Sequence, residues 1–250
     1  MRILLAEDDA VAGQTLTAIL TAQGHEVDAV DNGVDAWGLW QVSRHRVIVS
    51  DWLMPAMDAF RQHWPAVELD IVSGFHADPV GLLLTRRADL AIVSEAEAQP
   101  GIVHQPLFAY EMVVIMARDH PLADKRAWSA EDFAGETLIS YPVPDDMLDL
   151  MRKVLAPAGV DPARRTSELT VAIIQLVASR RGVAALPFWA VKPYLERGYV
   201  VARPIGPTGL HSELYAALRE DDADTAYMQD FLATVRETSF ATLPGLAMLG

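Results

Sequence analysis

The sequence predicts an α/β fold, and three observations carry the prediction. Short apolar runs of strand length recur from the first residues onward. Stretches with apolar residues at helical spacing alternate with them. The links between the two are short, and a βαβαβ order with short links implies parallel strands, helices on both faces and right-handed crossovers.

Taken in order, Arg2–Ala6 is an apolar run that ends in acids, which reads as a buried strand. Ala10–Ala22 places Val11, Leu16, Ile19 and Leu20 on one side of a helix that Gly24 ends. Glu26–Val30 is a second strand, Asp31-Asn32-Gly33 a turn, and Asp35–Ser43 a helix that buries Trp37 or Trp40. Arg46–Ser50 carries Val47-Ile48-Val49, a third strand. Ala56–Trp64 is helical and stops at Pro65, and Glu68–Ser73 is a strand. Asp78-Pro79 opens a helix that runs through Arg86, with the proline at a tolerated first-turn position, and Ala88–Val93 is the next strand. Two β-rich runs follow, Ile102–Ala109 and Glu111–Ala117, joined around Tyr110. Arg118–Asp124, with His120-Pro121, reads as a crossover between domains.

A second αβ series then begins. Glu136–Ser140 is a strand, Asp146–Ala156 a helix and Arg165–Glu168 a short strand. Val171–Arg181 is a helix stopped by Gly182, and Val183–Leu186 a strand closed by Pro187. Tyr199–Arg203 and His211–Leu218 are strands, and Asp224–Thr242 is the last helix.

Composition narrows the function. The 250 residues are 51% hydrophobic and 22% charged, which suits a folded chain with a sizeable core. A net charge of −14 argues against a broad nucleic-acid surface, which needs clustered cations. The absence of cysteine excludes disulfides and thiolate chemistry. No stretch approaches the ~20 apolar residues of a membrane span, and the acids at Glu7, Asp8 and Asp9 come too early for a signal peptide. The expectation is a cytoplasmic protein with no membrane or nucleic-acid partner. No His-x-x-x-His, Gly-x-Ser-x-Gly or phosphate-cradling glycine loop is present, so no enzyme is expected.

Glu7, Asp8 and Asp9 follow the first predicted strand and Asp51 the third, so a parallel sheet would gather them at one edge. Converging carboxylates repel one another, and a hard cation such as Mg²⁺ would relieve that repulsion. With Ser50-Asp51-Trp52-Leu53-Met54-Pro55, this start resembles a response-regulator receiver domain over about residues 1–58. The resemblance implies a flavodoxin-like βαβαβ fragment, with Asp51 as a vestigial phosphoacceptor and Glu7, Asp8 and Asp51 as metal ligands. It also shows departures. Ser73 comes early for the receiver's hydroxyl, and Ser94-Glu95 stands where a receiver has its lysine.

A second resemblance covers about residues 52–243. The segment Trp52–Asp70, the run Arg87-Ala88-Asp89-Leu90-Ala91-Ile92, Asp119-His120-Pro121-Leu122, Gln175–Pro187 and Leu214-Tyr215-Ala216-Ala217-Leu218 resemble the effector-binding domain of LysR-type regulators. Ser73–Pro79 and Leu138-Ile139-Ser140-Tyr141-Pro142-Val143 are similar to regulators of methionine biosynthesis within that family. The resemblance implies two αβ lobes of periplasmic-binding-protein type II, with a small effector held between them, here homocysteine or a similar amino acid. Residues 1–57 would be a receiver-like half joined to lobe one, 58–117 and 211–250 lobe one, and 118–210 lobe two. Ser73, His76, Ser94, Tyr141, Ser167 and Thr170 are the implied ligand-binding residues, and side-by-side association would give a homodimer. A serine or threonine before a helix serves equally as an N-cap.

The two resemblances overlap at Trp52–Asp58. Substitution is the simple physical reading, in which the strand Arg46–Ser50 fills lobe one's first position. No DNA-binding helix-turn-helix is expected, and residues 1–58, with three Lys+Arg against nine Asp+Glu, do not replace one. The expectation is therefore an engineered chimera without selected activity. An amino-acid-binding module and an Asp51 phosphoacceptor module, neither requiring a cofactor beyond Mg²⁺, stay open beside it.

Overall fold

The computed structural model describes residues 53–70 and 78–249, and the backbone of 2–6 and 26–30. The chain divides into two compact units, Met1–Met54 and Pro55–Gly250. In the first, β1 (Arg2–Ala6) and β2 (Glu26–Val30) pair in parallel, with Arg2 opposite Glu26 and Ala6 opposite Val30. These are the bounds and the sense that the sequence predicts. The predicted helices Ala10–Ala22 and Asp35–Ser43 and the strand Arg46–Ser50 lie outside the described residues.

The larger unit follows α1 (Leu53–His63), α2 (Pro79–Leu84), β3 (Leu90–Val93), β4 (Ile102–Met116), β5 (Thr137–Ser140), β6 (Ala163–Thr166) and α3 (Thr170–Ala178). It continues through β7 (Ala184–Pro187), α4 (Phe188–Glu196), β8 (Val201–Pro204), β9 (Leu210–Arg219), α5 (Ala226–Thr242) and β10 (Leu246–Ala247). The spine is β4, 15 residues long. Its first part pairs antiparallel with β9, from Ile102 opposite Arg219 to Met112 opposite Leu210. Its last part, Met112–Met116, lies between β7 and β8. The sequence predicts two runs broken at Tyr110, but Tyr110 sits in register with Ser212, so the ladder leaves no turn there.

Alternation along β4 builds two cores. Val113 and Ile115 face a cluster with Ile139, Ile173, Ile174, Val177 and Val191. Val114 and Met116 face the other side, with Trp128, Phe133, Leu150, Met151 and Leu155. A strand with both faces buried must be apolar throughout this stretch, as it is. At the far end of the β4–β9 pair a third cluster gathers Leu83, Ala91, Ile102 and Ala217. In α1 the spacing of Ala56, Met57 and Phe60 buries one face, and the Phe60 ring meets Phe231 of α5 edge-on at 5.1 Å. The indole of Trp64 donates to Asp230 at 2.8 Å.

Five other expectations change. Arg118–Asp124 is a series of turns rather than a crossover, because β4 and β9 themselves run from one core region to the other. The predicted helix Asp146–Ala156 is preceded by a 3-10 turn at Asp145–Met147 and runs as one helical segment over 149–158, with a π-turn at Met151–Leu155 inside it and Ala156–Ala158 as its last turn. Pro157 has no N–H to continue the α ladder, and the Ala156 N–H reaches five residues back to the Met151 carbonyl instead. α3 stops at Ala178 rather than at Arg181, since Arg180 turns to a φ of 58°. Gly182 then passes so close to β5 that a Cβ would lie 2.1 Å from the Thr137 carbonyl oxygen, at a φ of 146° that also favours glycine. Finally, α4 is not predicted at all, because Pro187 precedes it and Pro193 lies inside it. Of the strand predicted at Glu68–Ser73, residues 68–70 are not in a strand and the rest lie outside the described residues.

Candidate functional site

The described candidate residues come from three places. Ser94 is half-buried just past the end of β3. Tyr141 follows β5, and Thr170 is the first residue of α3. The residue before Thr170 is Leu169, which has no side-chain oxygen to cap the helix, so no side chain satisfies the first-turn donors of α3. Thr170 instead bonds Tyr141, hydroxyl to hydroxyl at 2.6 Å. Ser167 holds the approach to the helix through its backbone, its N–H bonding the Ser140 carbonyl at 3.0 Å. The structure thus brings Tyr141 and Thr170 together. Ser73 and His76 lie outside the described residues, as do Glu7, Asp8 and Asp51. Among the described residues no group of three or more His, Asp or Glu is placed to hold a metal ion.

Between these positions lies a polar seam. Tyr110 on β4 faces Ser212 on β9. The Ser212 hydroxyl, 1% exposed, donates to the Asp149 carboxylate, which is itself 8% exposed. Asp149 also accepts from Lys153 at 3.1 Å and from Arg152. Lys153 donates onward to the His211 carbonyl at 3.1 Å, which ties the π-turn to β9. The other edge of the Arg152 guanidinium pairs with Glu95, next to Ser94. Its Nε is buried and has no hydrogen-bond partner among the described residues.

The charge states follow from these contacts. Burial alone would raise the Asp149 carboxyl, but hydrogen bonds from Ser212, Lys153 and Arg152 outweigh it and hold the group below its ordinary value. Burial and then the Asp149 charge push the Tyr110 phenol up, and its hydrogen bond with Ser212 offsets only part of that. Burial raises Tyr141 likewise, against the Thr170 bond. Both tyrosines therefore stay protonated near neutral pH. The Tyr110 ring also lies 6.4 Å from Trp189, whose buried indole N–H lacks a partner among the described residues. The seam offers apolar ring surface, neutral hydroxyls, one guanidinium and two carboxylates, the elements needed to orient a small polar molecule.

Tyr110, Glu95, Asp149, Arg152 and Ser212 escape the sequence reading. Asp149-x-x-Arg152-Lys153 was a visible signal, since i,i+3 and i,i+4 spacing sets opposite charges side by side on a helical turn. Nothing local marks Tyr110 or Ser212. A separate groove of about 370 Å³, lined by Glu111, Phe188 and Arg203 among others, lies along β8 and α4 and holds none of the candidate residues.

Residues 42–239 match the LysR substrate binding domain family. The chain is 63% identical over 199 residues to the HTH-type transcriptional regulator MetR of Haemophilus influenzae, a match covering 80% of this chain and 64% of that protein. It is 40% identical over 193 residues to MetR of Escherichia coli, covering 77% and 61%. The regulatory domain of MetR from N. meningitidis is 68% identical, with a TM-score of 0.76, covering 80% of this chain and 93% of that one. The chain therefore spans less than two thirds of the length of these two curated relatives. Both are named transcriptional regulators. This overturns the expectation of an engineered chimera without selected activity, since such identity over most of the chain is to a natural regulator. The match also begins ten residues before the expected start at residue 52. Among the described residues no helix is long and apolar enough to cross a membrane.

Proposed function

The chain belongs to the LysR substrate-binding domain family, and from that premise we propose that it senses a small amino acid of the homocysteine class as the effector-binding part of a transcriptional regulator. The carrying observation is the polar run Tyr110, Ser212, Asp149, Arg152 and Glu95, which ends at the residue after Ser94, together with the Tyr141–Thr170 hydroxyl pair, whose Tyr141 acts electrostatically on Tyr110. In this reading lobe one (58–117 and 211–250) and lobe two (118–210) hold the effector where β4 and β9 pass between them. The uncapped first turn of α3 offers the effector backbone N–H donors. Tyr141 and Thr170 supply hydroxyls beside it. A bound effector that favours one separation of the lobes over another shifts that equilibrium, which is how binding becomes a signal.

Calorimetry with L-homocysteine tests the proposal. Saturable heat with one site per chain is expected. No heat at millimolar ligand overturns it.

A further inference from the structure

Glu95 and Arg152 come from differently packed parts of the molecule. Glu95 lies two residues beyond β3, whose Ala91 is in the cluster with Leu83, Ile102 and Ala217. Arg152 is in the π-turn whose Met151 and Leu155 are in the cluster with Trp128 and Phe133. Their ion pair therefore ties one core to the other. π-turns of this kind are over-represented at functional positions.

The two acid partners of Arg152 differ. Asp149 is buried and also bound by Ser212 and Lys153, so it stays in place and anchors the guanidinium. Glu95 has Arg152 as its charged partner, and both side chains are 36% exposed. An ion pair this open to water contributes little to stability, so a ligand can part it without disturbing either core. The seam is also electrically balanced, with Arg152 and Lys153 against Asp149 and Glu95. A molecule of net charge entering there would leave a charge uncompensated, whereas a zwitterion would not.

We propose that Glu95 and Arg152 form a clasp that an α-amino acid opens by inserting between them. The ligand carboxylate takes the place of Glu95 on the guanidinium, where planar bidentate pairing is favoured, and the ligand ammonium is held by the released Glu95 carboxylate. One ion pair becomes two, and the distance between β3 and the π-turn is then set by the ligand. The clasp rests on the proposed amino-acid effector and adds the means by which both poles of that effector are read. It also accounts for the partnerless Arg152 Nε, which becomes available to the incoming carboxylate when the side chain turns from Glu95.

The test is calorimetry of the intact chain with three ligands: L-homocysteine, its methyl ester and N-acetyl-L-homocysteine. Each blocked pole is expected to weaken binding at least about tenfold, the scale of one charge-assisted hydrogen bond. In Arg152→Gln the acid and its ester should bind alike, and in Glu95→Gln homocysteine and its N-acetyl form should bind alike. Homocysteine binding with no preference over either blocked ligand overturns the clasp and leaves the proposed effector standing. No binding of homocysteine to the unaltered chain overturns both. The blocked ligands need no variant, so a variant that misfolds does not decide the outcome.

Discussion

Two arginines, each between two carboxylates, show how one side chain serves opposite ends. Arg219, at the end of β9, is 10% exposed and every nitrogen is used. Its Nη1 donates to the Leu83 and Ala88 carbonyls at 2.9 and 2.7 Å, its Nη2 to Asp89 at 2.6 Å and its Nε to Asp222 at 2.5 Å. It closes the α2–β3 corner with four of its five N–H donors engaged. Arg152 is 36% exposed, keeps an Nε with no hydrogen-bond partner among the described residues and reaches across to Glu95. A buried guanidinium held from four sides organises the fold, because removing it would take a donor from the Leu83 and Ala88 carbonyls and a cation from Asp89 and Asp222. An unsaturated one at an accessible seam costs little to re-partner and can be read by a ligand.

The largest effect that would break this contrast is on Arg219. Arg219→Leu should lower unfolding free energy by about 3 kcal/mol, since it removes all four hydrogen bonds of a guanidinium that is itself 10% exposed, measured by urea denaturation. A loss no larger than that of Arg152→Gln would erase the distinction. Next is Asp149→Asn, expected to cost about 2 kcal/mol at pH 7, the scale of hydrogen bonds to a buried charge. The sign of its pH dependence follows from a folded carboxyl held below its ordinary value. The stability it contributes is present above the unfolded pKa of about 3.9 and is lost as pH falls through the lower folded value. Urea midpoints taken from pH 7 to pH 3 should therefore converge for the variant and the parent at the acid end.

Arg152→Gln sharpens the contrast from the other side. Its unfolding free energy should stay within about 1 kcal/mol of the parent's, while homocysteine affinity falls at least about tenfold. The smallest expected effect is that of Tyr141→Phe, which leaves the Thr170 hydroxyl without its 2.6 Å partner. About 1 kcal/mol of stability and a several-fold loss of affinity are expected, read by thermal melting and by calorimetry.

Much of the fold was legible because periodicity is local. β1, β2, β3, β9 and α5 were foreseen to within a few residues from apolar runs and helical spacing alone. The errors have specific causes. Tyr110 looked like a break because a polar tip interrupts two apolar runs, but a long strand shared by two cores has a polar waist where they meet. α4 was hidden by its own prolines, which packing of Val191 overrides. The overlap of two motifs at Trp52–Asp58 suggested a recombination, but a short strand-end motif carries far less information than identity over 199 residues.

The sequence by itself determined the family, the alternation of strands and helices, and candidate residues that sit where elements begin or end, such as Ser94, Tyr141 and Thr170. The tertiary structure alone decided that Ser212 meets Asp149, 63 positions away, and that Arg152 reaches Glu95. The physical reason is one of range. Element type follows from neighbours a few residues apart, whereas the seam is a product of the antiparallel register of β4 and β9 and of the turn that Pro157 imposes, neither of which any one segment specifies.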